Sequence, residues 1–163
     1  MTDAGLEPTQ MAAWRAFLEA HRRTTARLER ELQTDEDLPL TWFDVLVQLS
    51  EAPSGALRMQ ELADRVLLSQ SGLTRLVDRM EAEGLVERSR CPEDGRGTLA
   101  TLTRAGLARL RRAWPTHVAG VRAAFSDHLS PDEAEVLARA LQRVAAASAP
   151  AGATACPEEA DAA

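Results

Sequence analysis

The sequence has little of what marks secreted, membrane-bound or disulfide-stabilised proteins. Only two cysteines occur in 163 residues, Cys91 and Cys156, so a disulfide framework is not expected and a reducing compartment is. No apolar run approaches the ~20 residues of a membrane span. The N-terminal segment MTDAGLEPTQ has neither a basic start nor an apolar stretch, which argues against a secretory signal. These absences predict a cytoplasmic protein without a membrane segment.

Lysine and tyrosine are absent, and all 19 basic residues are arginine. The net charge of -6 argues at first sight against nucleic-acid binding, but the charge is unevenly distributed. From Arg65 to Arg112 there are ten arginines and six acidic residues, whereas the rest of the chain has nine arginines and 19 acidic residues. The affinity of a surface for a polyanion depends on its local charge and not on the net charge of the chain. This basic segment is therefore a candidate nucleic-acid surface. Taken alone, the asymmetry is equally compatible with a solvated charged surface.

The periodicity of apolar residues predicts a mainly α-helical chain, with about six helices and one β-hairpin. A first long helix is expected over residues 9–33. Its length exceeds what a lone domain of this size can cover, which suggests a partner chain. Thr41, with Asp44 three residues further on, is the expected cap of a second helix.

Two short helices joined by a tight turn then predict a helix-turn-helix. Met59–Arg65 precedes Gln70–Glu83, for which Ser69 is the expected N-cap and Gly84 the residue with positive φ after its end. The second helix of such a motif enters the major groove of DNA. Its outward residues are expected to be Gln70, Ser71, Thr74, Arg75, Asp78 and Arg79. These side-chain types can contact base edges or phosphates, although an ordinary polar surface helix is the alternative.

The chain after this motif alternates with period two and then returns to helical periodicity. Strands are expected at Val86–Arg90 and Thr98–Leu102, around a tip rich in turn-forming residues. Thr103 is the expected cap of a fifth helix. Ser130 and Glu133 form the expected capping box of a sixth helix.

The hairpin carries arginines that can contact DNA. Arg88 and Arg90 lie on its first strand, and Arg96 lies between two glycines at its tip. An arginine so placed can reach the minor groove, where narrow A·T tracts concentrate negative potential. Alternatively, Arg96 pairs with Asp94 or Asp78 and stabilises the tip.

The segments LSQSGLTRLVDRMEAEGLVER and CPEDGRGTLATLTRAG resemble the winged-helix core of the MarR family of bacterial transcription regulators. Asp94, Arg96, Leu102 and Thr103 match the D-x-R and L-T pattern of that family. The order of six helices with a wing before the fifth also matches, and the resemblance covers residues 9–147. The tip has one arginine where family members often carry consecutive arginines.

The resemblance implies a homodimer in which the first, fifth and sixth helices interlock, while the fourth helix and the wing hold DNA. By motif, the implied recognition-helix contacts are Ser69, Ser71, Thr74, Arg75 and Arg79, and the implied wing contact is Arg96. Asp78 and Asp94 become residues that pair with arginines and fix the wing. The implied organisation is a disordered N-terminus (1–8), one MarR-like domain (9–147) with dimerisation helices at 9–33 and 104–147 around a core at 40–103, and a disordered tail (148–163).

Aromatic residues are few, yet three of them are tryptophan. The resemblance places the first, second and fifth helices around a cleft where family members often bind small aromatic or phenolic acids. The candidate effector-binding residues are Trp14, Phe17, His21, Trp42, Trp114 and His117. Packing in the core or in a dimer interface is the alternative for each of them.

Other chemistries find less support. No motif brings a nucleophile, a base and an orienting group together, so neither an enzyme nor a cofactor is expected. The histidines His21, His117 and His128 lack metal-ligand spacing, so no metal site is expected. Cys91 is a candidate redox sensor, although redox-sensing members of the family carry their cysteine in the first helix.

The sequence therefore predicts a ligand-responsive repressor that acts as a homodimer on a pseudo-palindromic operator. The alternative is a protein-interaction module of the same fold that no longer reads DNA.

Overall fold

A computed structural model gives the structure of residues 5–66, 68–90 and 97–148. Its helices are α1 (Pro8–Glu36), α2 (Leu40–Glu51), α3 (Met59–Arg65), α4 (Gln70–Ala82), α5 (Arg104–Ala124) and α6 (Pro131–Ser148). Its strands are β1 (Ala56–Arg58), β2 (Val86–Arg90) and β3 (Thr98–Leu102), and a short 3-10 turn spans Ser126–His128. The predicted mainly helical class with six helices and a β-hairpin is confirmed.

The three strands form one antiparallel sheet in the order β1–β3–β2. In the hairpin, β2 and β3 pair so that Arg88 lies opposite Ala100. Strand β1 is not expected from the sequence and pairs with the other side of β3. The N–H of Leu102 also donates to the carbonyl of Gly55, at 2.9 Å, so β1 joins the base of the wing to the helix-turn-helix.

Local capping signals set most element boundaries as predicted. The hydroxyl of Ser69 accepts a hydrogen bond from the N–H of Gly72 at the start of α4, and Gly84 follows α4 with φ of 69°. The hydroxyl of Thr103 accepts from the N–H of Gly106 at the start of α5. At the start of α6, Ser130 and Glu133 form the expected reciprocal capping box.

The prediction that Thr41 and Asp44 cap α2 is wrong. The helix begins at Leu40 with Pro39 at the N-cap, and neither side chain caps it. Instead, the N–H of Leu40 donates to Glu29 Oε2 of α1, at 2.9 Å. A carboxylate from a neighbouring helix therefore satisfies a free N–H and the positive end of the α2 dipole.

The chain divides into two compact units, one ending at Ala124 and the other beginning at Phe125. The core of the first unit is one cluster of apolar side chains from α1 to α5 and the sheet. Its largest fully buried members are Leu32, Leu38, Phe43, Val45, Leu46, Leu49, Leu62, Leu73, Val77, Met80 and Val86. This cluster fixes the buried side of α4 and leaves the opposite side free for a partner.

The second unit contains α6, which has no buried residue in the described part of the chain. Its apolar side chains Val136 and Val144 are each 58% exposed. Residues 1–4 and 149–163 lie outside the described ranges, so the predicted disorder of the two termini and the single-domain boundaries of 9–147 stay predictions.

Candidate nucleic-acid interface

Helix α4 presents a polar face opposite its buried stripe. Leu73, Leu76, Val77 and Met80 are buried, and every recognition-helix residue predicted from the sequence is exposed. The exposed residues are Ser69, Gln70, Ser71, Thr74, Arg75, Asp78 and Arg79. The 3.6-residue period of the helix thus brings all of them to one solvent-facing side.

The two outward arginines of α4 are differently constrained. Arg79 Nε donates to the carbonyl of Arg75, at 3.4 Å, so its side chain folds back along the helix. Neither arginine forms an ion pair with any residue described by the structure. Arg75 is the nearer of the two to the capped N-terminus, where Ser71 and the free N–H groups also lie.

Arg88 of β2 is bonded to two carboxylates of α4. Its guanidinium donates to Glu81 through Nε at 2.9 Å and through Nη2 at 2.6 Å, and Nη1 lies 2.6 Å from Asp78 Oδ1. These hydrogen bonds from Arg88 lower the pKa of Glu81 and raise the pKa of Arg88. Asp78 thus pairs with an arginine of the wing, and Arg88, predicted as a DNA contact, is already occupied within the chain.

The remaining wing residues divide between exposed and undescribed positions. Arg90, at the end of β2, is exposed. Cys91, Asp94 and Arg96 lie outside the described residues, so their predicted roles stay predictions.

A cleft of about 360 Å³ lies between the helix-turn-helix and the wing. It is lined by Arg58, Met59, Gln60, Gln70, Thr74, Arg88, Gly97 and Thr98. The sequence analysis did not include Arg58, which ends the unpredicted strand β1, or Gln60, which lies in the first turn of α3. Both side chains line the cleft together with Gln70 and Thr74 of α4.

The six candidate effector residues fall into separate groups. Trp14, Phe17 and His21 lie along one face of α1, with successive ring centroids 6.0 and 6.3 Å apart. Trp14 and Phe17 are 51% and 42% exposed. Trp42 is partly buried against the core. The first group has the exposure expected of a surface that a partner chain covers.

Trp114 and His117 of α5 instead lie against Phe43, a buried residue of α2 that the sequence analysis did not count among the candidate effector residues. The Phe43 and His117 rings are 4.3 Å apart, and Trp114 lies 6.1 Å from Phe43. Burial lowers the pKa of His117, and its Nδ1 has no hydrogen-bond partner in the described part of the chain. Burial thus favours the neutral form of His117 and leaves its Nδ1 as a buried polar atom without a partner, which is costly unless another group satisfies it.

The described residues contain no group of three or more His, Cys, Asp and Glu side chains arranged to hold a metal ion. In the same ranges, no helix combines the length and the apolarity that crossing a membrane requires.

A helix-turn-helix followed by an antiparallel hairpin defines the winged-helix class of proteins. Comparison with known proteins narrows this class. A MarR family model matches residues 36–97. An uncharacterised HTH-type transcriptional regulator of Bacillus cereus is 32% identical over 118 residues, which are 72% of this chain and 77% of that protein. The chain belongs to the MarR family of transcriptional regulators.

Solved structures agree with this assignment. AbsC, a MarR family transcriptional regulator from Streptomyces coelicolor, is 39% identical, with a TM-score of 0.79 over 87% of this chain and 95% of that chain. A second MarR family regulator from Streptomyces coelicolor, solved in complex with DNA, is 38% identical. Its TM-score is 0.82, over 93% of this chain and 95% of that chain. A transcriptional repressor of Pseudomonas putida, IacR, is 35% identical over 56% of this chain and 53% of its own length.

Proposed function

We propose that the protein binds double-stranded DNA as a homodimer and represses transcription from a pseudo-palindromic operator. The observation that carries this proposal is the exposed polar face of α4, in which Arg75 has no ion-pair partner among the described residues. The solved relative in complex with DNA and the repressor IacR support it.

In this proposal α4 reads the major groove and the wing contacts the adjacent backbone and minor groove. Ser69, Gln70, Ser71 and Thr74 surround the helix N-terminus, where N–H groups and the helix dipole favour a phosphate. Arg90 and Arg96 extend the contact along the wing, Arg96 on the strength of the family motif alone. Two α4 helices related by a twofold axis would occupy half-sites centred about 10 base pairs apart.

The two arginines of α4 should affect DNA binding differently. Arg75→Ala should cost specificity, about 1–3 kcal/mol per half-site against the cognate base, because Arg75 lies near the capped end that enters the groove. Arg79→Ala should weaken binding about equally for all sequences, because Arg79 lies where such helices meet the backbone. The measurement is the affinity of each variant for a panel of variants of a duplex that the wild type selects from a random pool.

The reverse outcome would show that these two roles are exchanged. Failure of the wild type to select any duplex, with no salt-dependent DNA binding, would favour the interaction module, because phosphate contacts make DNA affinity fall with salt.

Exposed apolar side chains support the homodimer. They occur on α1, α5 and α6, the helices that interlock in dimers of this family, or within two residues of the ends of α1 and α5. The large exposed residues are Leu6, Trp14, Phe17, Leu18, Trp114, Val118, Phe125, Val136 and Val144. A monomer rarely leaves so much apolar surface in contact with water.

Light scattering should accordingly give twice the chain mass of 17.7 kDa. Val136→Glu should weaken the dimer, because it places a charge in the apolar surface. Gln142→Glu adds the same charge on the opposite side of α6 and should leave the mass unchanged. A wild-type mass near 17.7 kDa with intact helicity would exclude the homodimer.

We further infer that a small aromatic acid regulates DNA binding by occupying the surroundings of Trp42, Trp114 and His117. The half-buried rings and the unpartnered Nδ1 of His117 support this site. Release of the selected duplex by a panel of aromatic acids tests it, and Trp14, Phe17 and His21 are the second candidate location.

A further inference from the structure

Strand β2 is an edge strand, and one of its open backbone groups is covered by a side chain of α4. The sheet order β1–β3–β2 leaves one side of β2 unpaired. The N–H of Arg88 points to this side, because it donates to Glu81 Oε1 at 2.9 Å and not to β3. Glu81 thus takes the place that a further strand would occupy at this position.

The same carboxylate also holds the Arg88 side chain. Glu81 Oε2 accepts from Nε and from Nη2 of Arg88, while Asp78 Oδ1 lies 2.6 Å from Nη1. Asp78 and Glu81 are three residues apart and therefore lie on one side of α4. One residue of the wing is in this way attached to the helix through its backbone and through three guanidinium nitrogens.

Such an attachment restricts the angle between the wing and the helix. A single ion pair between exposed side chains leaves both side chains free to rotate and contributes little to stability. A guanidinium bound at several nitrogens, together with a bonded backbone N–H, fixes the strand in position as well as the side chain. The Arg88 side chain is 30% exposed and that of Glu81 is 34% exposed, so neighbouring protein partly shields the contact from water.

We propose that Glu81 is a positioning residue for DNA recognition, which acts through Arg88 to set the wing at the angle where α4 and the wing contact DNA together. This inference rests on the proposed function, because it presupposes that both elements bind the same duplex. It assigns Arg88 to the support of the wing and leaves Arg90 as the exposed arginine of β2 that faces DNA.

Glu81→Gln tests the proposal, and Glu83→Gln is its matched control. Both remove one negative charge near the end of α4, but Glu83 is exposed, and its side chain makes no hydrogen bond or ion pair within the described ranges. The probe is the duplex that the wild type selects from a random pool. Glu81→Gln should bind it about tenfold more weakly, the size of one lost contact, whereas Glu83→Gln should bind as the wild type does or slightly more tightly.

Footprints separate a displaced wing from a damaged protein. Glu81→Gln should keep the protection of guanine N7 in the major groove and lose hydroxyl-radical protection at the flanks that the wing covers. Arg88→Lys should show the same pattern, because lysine keeps the charge but cannot form the bidentate contact. Equal helicity and mass of all variants confirm that they are folded dimers.

The alternative is that Arg88 contacts a phosphate directly. Arg88→Lys would then keep most of the binding, and Glu81→Gln would strengthen it by freeing the guanidinium. Either result, or unchanged flank protection in Glu81→Gln, would overturn the positioning role while leaving the proposed function standing. A wild type that selects no duplex would overturn both.

Discussion

Gly106→Ala should destabilise the protein by about 3 kcal/mol, the upper end of the usual cost of overpacking a well-packed site. A Cβ at this position would lie 2.1 Å from the carbonyl oxygen of Leu85 and 2.8 Å from Leu102 Cδ1. The carbonyl of Leu85 cannot move freely, because it accepts two hydrogen bonds from Thr103. One comes from the N–H at 3.2 Å and the other from the hydroxyl at 3.0 Å. The first turn of α5 therefore needs glycine for its close approach to the base of the wing.

Gly120→Ala is the control for the effect of alanine in the same helix. A Cβ there would lie 2.4 Å from Glu31 Oε2 and 2.7 Å from Leu28 Cδ2, which are the ends of side chains. Glu31 can turn towards solvent, and alanine gains about 1 kcal/mol of helix propensity over glycine, so a net cost below that of Gly106→Ala is expected. Urea unfolding at one fixed protein concentration measures both. Equal losses would show that backbone proximity at Gly106 is not the cause.

The elements that the sequence predicts well are those bounded by local signals. Helix α3 and both wing strands have the expected boundaries, and α4 lies between the capping serine at position 69 and the glycine with positive φ at position 84. Such caps act within a few residues along the chain, so they can be read from the sequence. Strand β1 has no such signal, because three residues become a strand only by pairing with β3.

Contacts between distant segments explain the errors. The cap of α2 comes from Glu29, eleven residues before Leu40, and no local sequence pattern predicts it. The periodicity of α4 correctly gives its outward face, but it does not show that Arg88 reaches back across a turn to Glu81. In the same way, Phe43 of α2 joins the rings of α5 only when the two helices pack.

Glu36→Ala should destabilise the protein by about 3 kcal/mol, the cost of leaving a buried charge without its partner. Glu36 is the last residue of α1, and its side chain is 13% exposed. Its carboxylate lies 3.5 Å from Arg109 Nη1 and 3.0 Å from Arg112 Nε, and it accepts from the Thr116 hydroxyl at 3.2 Å. Burial disfavours the charged form of Arg109 and lowers its pKa, whereas the carboxylate of Glu36 stabilises that charged form. Loss of the carboxylate should therefore affect Arg109 most.

The double-mutant cycle with Arg109→Met separates the loss of a partner from the worth of the pair. Arg109→Met removes the buried cation and should cost less than Glu36→Ala. The double variant should resemble Arg109→Met, because the only charge that then loses its partner is that of the exposed Arg112. Glu135→Ala is the control. It breaks the ion pair between Glu135 and Arg139, whose side chains are 68% and 60% exposed, and should lower the free energy of unfolding by at most about 0.5 kcal/mol. Urea unfolding measures all four variants. If Glu36→Ala cost no more than Glu135→Ala, the contact between α1 and α5 would be an ordinary surface ion pair.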